Sequence, residues 1–212
     1  MLYFAACSWF TSNITKANNI YRLAQQANIH PLLVVAGRAQ EFVEGLIDRS
    51  KGDTIIDYRA GDEAVKSGLA EALKANNFTE VKHAYDTISE HGSFKNILPV
   101  LSKSGAKLRF VLPDKEHETI PAYVDHKFAS VGSVHTGATE EQKAAGLKTA
   151  GNNEFGYAYF RLFGRGLQDG WFSGHPYEVV EGGLGGVEKA LRDLKAGKNS
   201  GLKYVFKIED TK

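Results

Sequence analysis

Glycine is missing from the first part of this sequence, and cysteine is nearly missing from all of it. None of the 22 glycines precedes Gly37, and Cys7 is the single cysteine. One cysteine excludes an intramolecular disulfide and a zinc site built from several cysteines, and it favours a reducing compartment. The apolar opening MLYFAACSWF is too short to span a bilayer, and no basic segment precedes it. We therefore expect no signal peptide, no membrane partner and a cytoplasmic location.

An excess of charge of one sign is also missing. The chain has 26 Lys and Arg against 25 Asp and Glu, a net charge of +1. Without a basic stripe, no nucleic-acid partner is expected. The seven histidines form no i, i+4 pair and no tight cluster with carboxylates, so no metal site is expected either. At 212 residues and 42% hydrophobic, the chain has the length and apolar content of one large domain with a full core.

Apolar runs alternate with amphipathic segments over the first two thirds of the sequence. Strands that read as continuous apolar runs are typical of parallel sheets covered on both faces. Strands are predicted at residues 2–10, 32–36, 53–58, 81–88, 107–112 and 127–134, and helices at 14–27, 40–49, 62–75 and 93–103. Helical segments at 139–165 and 186–196 and a strand at 202–208 follow. The predicted fold class is α/β, a Rossmann-like doubly wound parallel sheet with helices on both faces, in one domain over residues 1–212.

The missing glycines fall where a dinucleotide fold needs them. Such a fold places a glycine-rich phosphate turn between its first strand and first helix. Here that turn reads SWFTSNITKA and contains no glycine. Glycine matters at this turn because the backbone must approach the pyrophosphate closely, and a β-carbon obstructs that approach. The sequence therefore predicts a cofactor fold and argues against tight pyrophosphate binding.

The end of the second predicted strand carries Gly37 and Arg38 and no acidic residue. An acid at this position would bind the ribose of NAD, whereas an arginine suits the extra phosphate of NADP. The sequence thus favours NADP (NADPH) as cofactor. In the alternative interpretation, Arg38 is a solvated residue in the first turn of the next helix.

Five blocks, in this order, resemble a known family. They are PLLVVAGR at 31–38, DTIIDYR at 53–59, HAYDTISEHGSF at 83–94, LSKSGAKLRFVLP at 101–113, and the segment from HPYEVVEGG to YVFKI at 175–208. Together they resemble the cofactor domain of the medium-chain dehydrogenase/reductase superfamily, and most of all its zinc-independent quinone oxidoreductases and fungal enoyl reductases. The resemblance covers the chain from about residue 17 to its C-terminus.

The resemblance implies an oxidoreductase in which NADPH delivers hydride to an unsaturated carbonyl compound or a quinone. It implies no catalytic residue that can be named here, because the cofactor supplies the chemistry and the protein orients the reactants. It implies that Tyr58 lines the pocket for the 2′-phosphate, or else packs at the edge of the core. The residues expected near the nicotinamide and its ribose follow three successive strands: Asp86, Ser89, Leu112, Pro113 and Ser133. Alternatively, Asp86 and Ser89 cap a helix that begins near Ser93.

Members of this family also have an N-terminal barrel domain of GroES-like type, toward which the C-terminal helices and strand return, and this sequence has no counterpart of it. A truncated reductase is therefore expected, and the alternatives are a non-catalytic Rossmann-like remnant or a fragment of a longer reductase. The family often pairs the final strands of two cofactor domains, which predicts a homodimer through Phe128 to Val134. Gly164, Gly166 and Gly170 are interpreted as a structural loop, and Gly182 to Gly186 as a turn before the last helix.

Overall fold

The computed structural model describes residues 4–7, 21, 24, 27–37, 40–89, 92–112, 115–129, 132, 134, 140, 152–199 and 201–211. The chain divides into two compact units. The first unit comprises residues 1–128 and 175–212, and the second comprises residues 129–174. The single-domain organisation stays a prediction.

Six parallel strands form the sheet of the first unit. They are β1 (Phe4–Cys7), β2 (Leu32–Ala36), β3 (Thr54–Asp57), β4 (His83–Asp86), β5 (Ala106–Phe110) and β6 (Val124–Phe128). Their order across the sheet is β3-β2-β1-β4-β5-β6, and each neighbouring pair runs parallel. This is the strand order of a Rossmann fold. The chain adds β2 and β3 on one side of β1, and then returns to add β4, β5 and β6 on the other side, so the strand order reverses between β1 and β4. The predicted fold class is confirmed.

Both faces of the sheet are covered, as the side chains of β2 show. Successive residues of a strand point to opposite faces. Leu33 and Val35 belong to one buried apolar cluster, and Leu32, Val34 and Ala36 belong to another. Because every side chain of β2 is buried, its sequence is a continuous apolar run rather than an alternating one.

The helix α2 (Asp62–Ala75) packs against β3 and ends where the sequence predicts. Val65, Leu69 and Leu73 are four residues apart and buried, so they form one apolar stripe along the helix. Acidic Asp62 in the first turn stabilises the positive end of the helix dipole.

Two predicted helices are shorter in the structure. The one before β3 is α1 (Gln40–Glu44), which ends at Gly45, a poor helix former. The one after β4 consists of two 3₁₀ segments, Ser93–Asn96 and Leu98–Val100. Pro99 explains the second difference, because it lacks a backbone N–H and disfavours helical geometry in the residue before it.

The second unit contains a helix, α3 (Asn152–Asp169). Gly164 and Gly166 lie within it, so their interpretation as a loop is wrong. A β-carbon on Gly166 would come within 2.6 Å of the Trp171 side chain and 2.7 Å of Phe172. Gly166 therefore serves packing, because the segment after the helix folds back against it.

The C-terminal part of the first unit pairs β7 (Tyr177–Val179) with β8 (Lys203–Val205) in parallel. Between them, a 3₁₀ turn at Gly183–Gly186 leads into helix α4 (Val187–Lys195), as predicted. Gly182 enters this turn with φ of 87°, a left-handed conformation that suits glycine. Across the described residues, no helix combines the length and apolarity needed to cross a membrane.

Candidate functional site

The crevice at the carboxyl ends of β1 and β4 is the expected ligand position, because the strand order reverses there. Cys7 at the end of β1 lies opposite Asp86 at the end of β4, and Asp86 lies opposite Phe110 of β5. The glycine-free turn, Thr11 to Ala17, lies outside the described residues. The described wall of the crevice is therefore the loop after β4 and the end of β5.

The carboxylate of Asp86 organises the loop that follows β4. Its Oδ1 accepts hydrogen bonds from the backbone N–H groups of Ile88 at 3.0 Å and Ser89 at 2.9 Å. Its Oδ2 accepts a 2.5 Å hydrogen bond from the Ser93 hydroxyl. An aspartate that bonds the backbone two residues further on makes an Asx turn. These residues and Val111 are called the Asp86 clasp below.

Ser89 joins this loop to the neighbouring strand. Its hydroxyl donates to the backbone carbonyl of Asp86 and accepts from the backbone N–H of Val111, both at 2.9 Å. Its backbone is left-handed, with φ of 58°. The hydroxyl thus fixes the end of β4 relative to the end of β5, directly beside the position where the strand order reverses.

The clasp is buried. The exposed fraction is 0% for Asp86 and 1% for Ser89. Burial raises the pKa of the Asp86 carboxyl, and the hydrogen bonds from Ser93, Ser89 and Ile88 oppose that shift. Since the polar atoms of both side chains are engaged within the clasp, the clasp determines the backbone conformation of residues 87–89.

An aromatic cluster lies beside the clasp. The His117 ring stacks on Phe110 with centroids 3.7 Å apart and meets Phe94 edge-on at 5.4 Å. A positive charge on His117 would lower the pKa of Asp86, against the effect of burial. Within the described segments, no three His, Cys, Asp or Glu side chains are grouped closely enough to hold a metal ion.

A second part of the candidate site lies at the carboxyl ends of β2 and β3, where Gly37 contacts Tyr58. A β-carbon on Gly37 would come within 2.4 Å of a Tyr58 ring carbon and 2.8 Å of its hydroxyl. The ring thus lies directly against the Gly37 backbone. Arg38, the residue expected to share a pocket with Tyr58, lies outside the described residues, so that pocket stays a prediction.

Arg59 was not predicted from the sequence, yet it lies next to Tyr58 at the same edge. Its guanidinium forms two-pronged hydrogen bonds with the Asp57 carboxylate, at 3.0 Å to Oδ1 and 2.6 Å to Oδ2. This pairing lowers the pKa of Asp57. The edge therefore carries an arginine whose charge is partly compensated.

The predicted site residues divide into three groups. Gly37 contacts Tyr58, whereas Asp86 and Ser89 meet in the clasp, whose Val111 precedes Leu112. Arg38, Pro113 and Ser133 lie outside the described residues. The capping alternative is wrong, because Gly92 occupies the N-cap of the Ser93–Asn96 segment and no side chain caps it. The cofactor contacts of all these residues stay a prediction.

The described residues fit a phosphate-bearing dinucleotide. Such a cofactor lies across the carboxyl ends of the strands. There, the Asp86 carboxylate is turned into its own loop, so it presents no bare negative charge to a phosphate. At the carboxyl ends of β2 and β3, the Tyr58 ring lies against Gly37, and the next residue, Arg59, pairs its guanidinium with Asp57.

These features define the class as a Rossmann-type α/β domain. Among solved structures, the CurK enoyl reductase matches with a TM-score of 0.59 at 15% identity, over 96% of this chain and 55% of that one. No protein-family model matches the sequence.

The homologues are fungal trans-enoyl reductases. Trans-enoyl reductase fsr4 of Gibberella fujikuroi is 43% identical over 162 residues, 76% of this chain and 43% of fsr4. The enoyl reductase component lovC of the lovastatin nonaketide synthase from Aspergillus terreus is 23% identical over 163 residues. The resemblance predicted from the sequence is confirmed. This chain spans 43% of the length of each of these two relatives.

Proposed function

We propose that this chain forms the cofactor-binding part of an NADP(H)-dependent reductase that transfers hydride to an α,β-unsaturated carbonyl compound. One observation carries the proposal: the 43% identity to a trans-enoyl reductase, in a chain with the Rossmann strand order. The names of the relatives favour an enoyl substrate over a quinone. Reduced nicotinamide supplies the hydride when it is bound.

The residues of this chain bind and orient the cofactor. The backbone around the clasp supports the half of the dinucleotide that lies at the end of β4. The adenosine end lies at the carboxyl ends of β2 and β3, near Gly37 and Tyr58, with Arg38 binding the 2′-phosphate. Selectivity for NADPH over NADH is supported by the absence of an acid directly after β2.

Titration of the purified chain with NADPH and NADH, followed by nucleotide fluorescence, tests this proposal. We expect micromolar affinity for NADPH and at least about tenfold weaker binding of NADH, since a charge-assisted contact contributes about 1.4 kcal/mol or more. Arg38→Ala should remove most of the preference for NADPH and leave the NADH affinity unchanged. Equal binding of the two nucleotides would contradict the assignment of Arg38.

A second candidate function is a Rossmann-like domain that folds without binding a cofactor tightly. The glycine-free turn at Thr11 to Ala17 favours it, because Ile14 and its neighbours carry β-carbons where the backbone would approach a pyrophosphate. The same titration decides between the two. If millimolar NADPH does not bind, the reductase proposal is excluded and the domain without tight cofactor binding is the function that stands.

We also propose a homodimer through the last strand of the sheet. The strand β6 stands at the end of the strand order, and Phe128 at its end is 46% exposed. An exposed strand edge with an apolar residue is a template for pairing with a second copy. Residues 130, 131 and 133 of the predicted interface lie outside the described residues. Sedimentation over a range of concentrations should show a dimer that Phe128→Glu weakens, and a monomer throughout would exclude it.

A further inference from the structure

Ser89 is an unusual residue for a left-handed backbone. Among the described residues, the other non-glycine positions with positive φ are Asn28 and Asn77. Asparagine tolerates this region because its side chain can hydrogen-bond locally, whereas serine is strained there. Strained residues persist where their surroundings hold them, and they concentrate at ligand sites.

The surroundings that hold Ser89 are the Asp86 carboxylate and the end of β5. The Asp86 carboxylate accepts a hydrogen bond from the Ser89 N–H. The Ser89 hydroxyl donates to the Asp86 carbonyl and accepts from the Val111 N–H. Ser93 then fixes the second carboxylate oxygen of Asp86. Each partner restrains a different part of the loop, so several independent hydrogen bonds stabilise the strained backbone conformation of Ser89.

We infer that Asp86 is a positioning residue, which acts through Ser89 to hold residues 87–89 after β4 in the one conformation that receives the dinucleotide. This inference rests on the proposed function. In this inference Asp86 acts without direct contact to the cofactor, since its side chain is fully buried and its oxygens are engaged. Its effect is transmitted by the backbone of residues 87–89 and by the link to Val111.

Hydrogen-bond chemistry predicts which substitutions preserve the clasp. An asparagine at position 86 offers one oxygen to the N–H groups of Ile88 and Ser89, and its amide NH₂ can donate to a rotated Ser93 hydroxyl. Asp86→Asn therefore retains every partner, whereas Asp86→Ala removes them all. At Ser89, glycine adopts the left-handed backbone freely, while alanine is strained and has no hydroxyl.

NADPH affinity measured on Asp86→Asn, Ser89→Gly, Ser89→Ala and Asp86→Ala should fall in that order. Asp86→Asn should bind within about twofold of the parent chain, and Asp86→Ala about tenfold more weakly, the change expected when a hydrogen bond to a charged group is lost. Affinities are compared at equal folded fractions, taken from thermal unfolding of each variant without nucleotide.

Ser102→Ala is the matched control. Ser102 is also fully buried, and its hydroxyl also bonds the backbone, donating to the Ser104 carbonyl and accepting the Ser104 N–H. It lies just before β5, at the opposite edge of the sheet. Its loss should lower stability as Ser89→Ala does and leave NADPH affinity unchanged.

Hydrogen exchange without nucleotide provides a second readout. In Asp86→Ala, the amides of Ile88, Ser89 and Val111 should exchange faster, while those inside β5 keep their protection. Unchanged exchange at these three amides would overturn the clasp itself.

The two proposals fail in different ways. If the parent chain does not bind NADPH, the proposed function fails and the positioning role fails with it. If the parent chain binds NADPH and folded Asp86→Ala binds equally well, the positioning role alone is overturned.

Discussion

Two aspartates are buried at opposite edges of the sheet, and their surroundings differ. Asp86 follows β4 at the carboxyl edge, where it bonds two N–H groups and a serine hydroxyl. Asp53 precedes β3 at the amino edge, where it bonds the N–H groups of Leu32 and Asp48 and the ring of His30 at 2.8 Å.

The difference lies in what each carboxylate connects. Besides a local bond to Asp48, Asp53 joins the segment before β3 to His30 and Leu32 at the start of β2, away from the crevice, so its bonds hold the fold together. Asp86 bonds mainly within its own loop, beside the position where the strand order reverses, so its bonds shape a surface. Buried charge at one edge therefore serves stability, and at the other edge it serves the conformation of a site.

Asp53→Ala should have the largest effect on stability. It leaves the N–H groups of Leu32 and Asp48 without their acceptor and removes the partner of His30, which costs about 3 kcal/mol or more. Chemical denaturation measures this loss. The control is Asp57→Ala, an aspartate that is more exposed at the carboxyl edge. If Asp53→Ala lowers the free energy of unfolding no more than this control, the amino edge is not the stabilising one.

Gly37→Ala should have the next largest effect, at the carboxyl edge. The new β-carbon would overlap the far end of the half-buried Tyr58 side chain, and moving that ring aside costs about 1 kcal/mol. Tyr58→Ala removes the obstacle, so the free energies of unfolding of the single and double variants should not add. Additive effects would show that the ring does not lie against Gly37 in solution.

The two edges should respond to pH with opposite sign. Burial, together with Lys107 and Arg109, lowers the pKa of His83 at the start of β4, so the folded state resists its protonation. Below the ordinary value of about 6.5, stability relative to His83→Gln should fall, by under about 1 kcal/mol.

Burial raises the pKa of Asp86, so the folded state holds its proton more tightly than the unfolded chain. Stability relative to Asp86→Asn should therefore fall as pH rises from 3.8 to the raised pKa. Chemical denaturation across pH 3 to 8 measures both effects, as the difference in free energy of unfolding between the parent chain and His83→Gln, and between the parent chain and Asp86→Asn. Equal signs would contradict the comparison.

Arg59→Ala should have the smallest effect. Arg59 and Asp57 are both partly exposed, and salt screens such pairs. We expect no measurable change in the thermal unfolding midpoint at physiological salt and about a twofold weaker affinity for NADPH. A large loss of stability would mean that this pair is structural.

The sequence predicted the elements whose periodicity is strong. The bounds of β2 and α2 agree with the prediction because a buried strand and an amphipathic helix each leave a regular apolar pattern. Gly164 and Gly166 misled the interpretation, because glycine usually marks loops and its packing role against Trp171 is invisible in a linear pattern.

The site was predicted only in part, for the same reason. Asp86 and Ser89 were recognised by their position at a strand end, but the bond to Ser93 and the link to Val111 depend on how the loop closes. Arg59 was missed because nothing in its spacing separates it from a solvated charge.

The clasp also has a consequence for the order in which the chain folds. Bonds that close over two to seven residues join Asp86 to Ile88, Ser89 and Ser93, and Asp53 to Asp48, whereas the bond of Ser89 to Val111 and those of Asp53 to Leu32 and His30 close over 21 to 23 residues. Loop-closure entropy makes the longer closures about 1 kcal/mol costlier than the seven-residue one. We therefore expect the turn at Asp86 to form early, with kinetic φ-values near 1, and the links to Val111, Leu32 and His30 to form late.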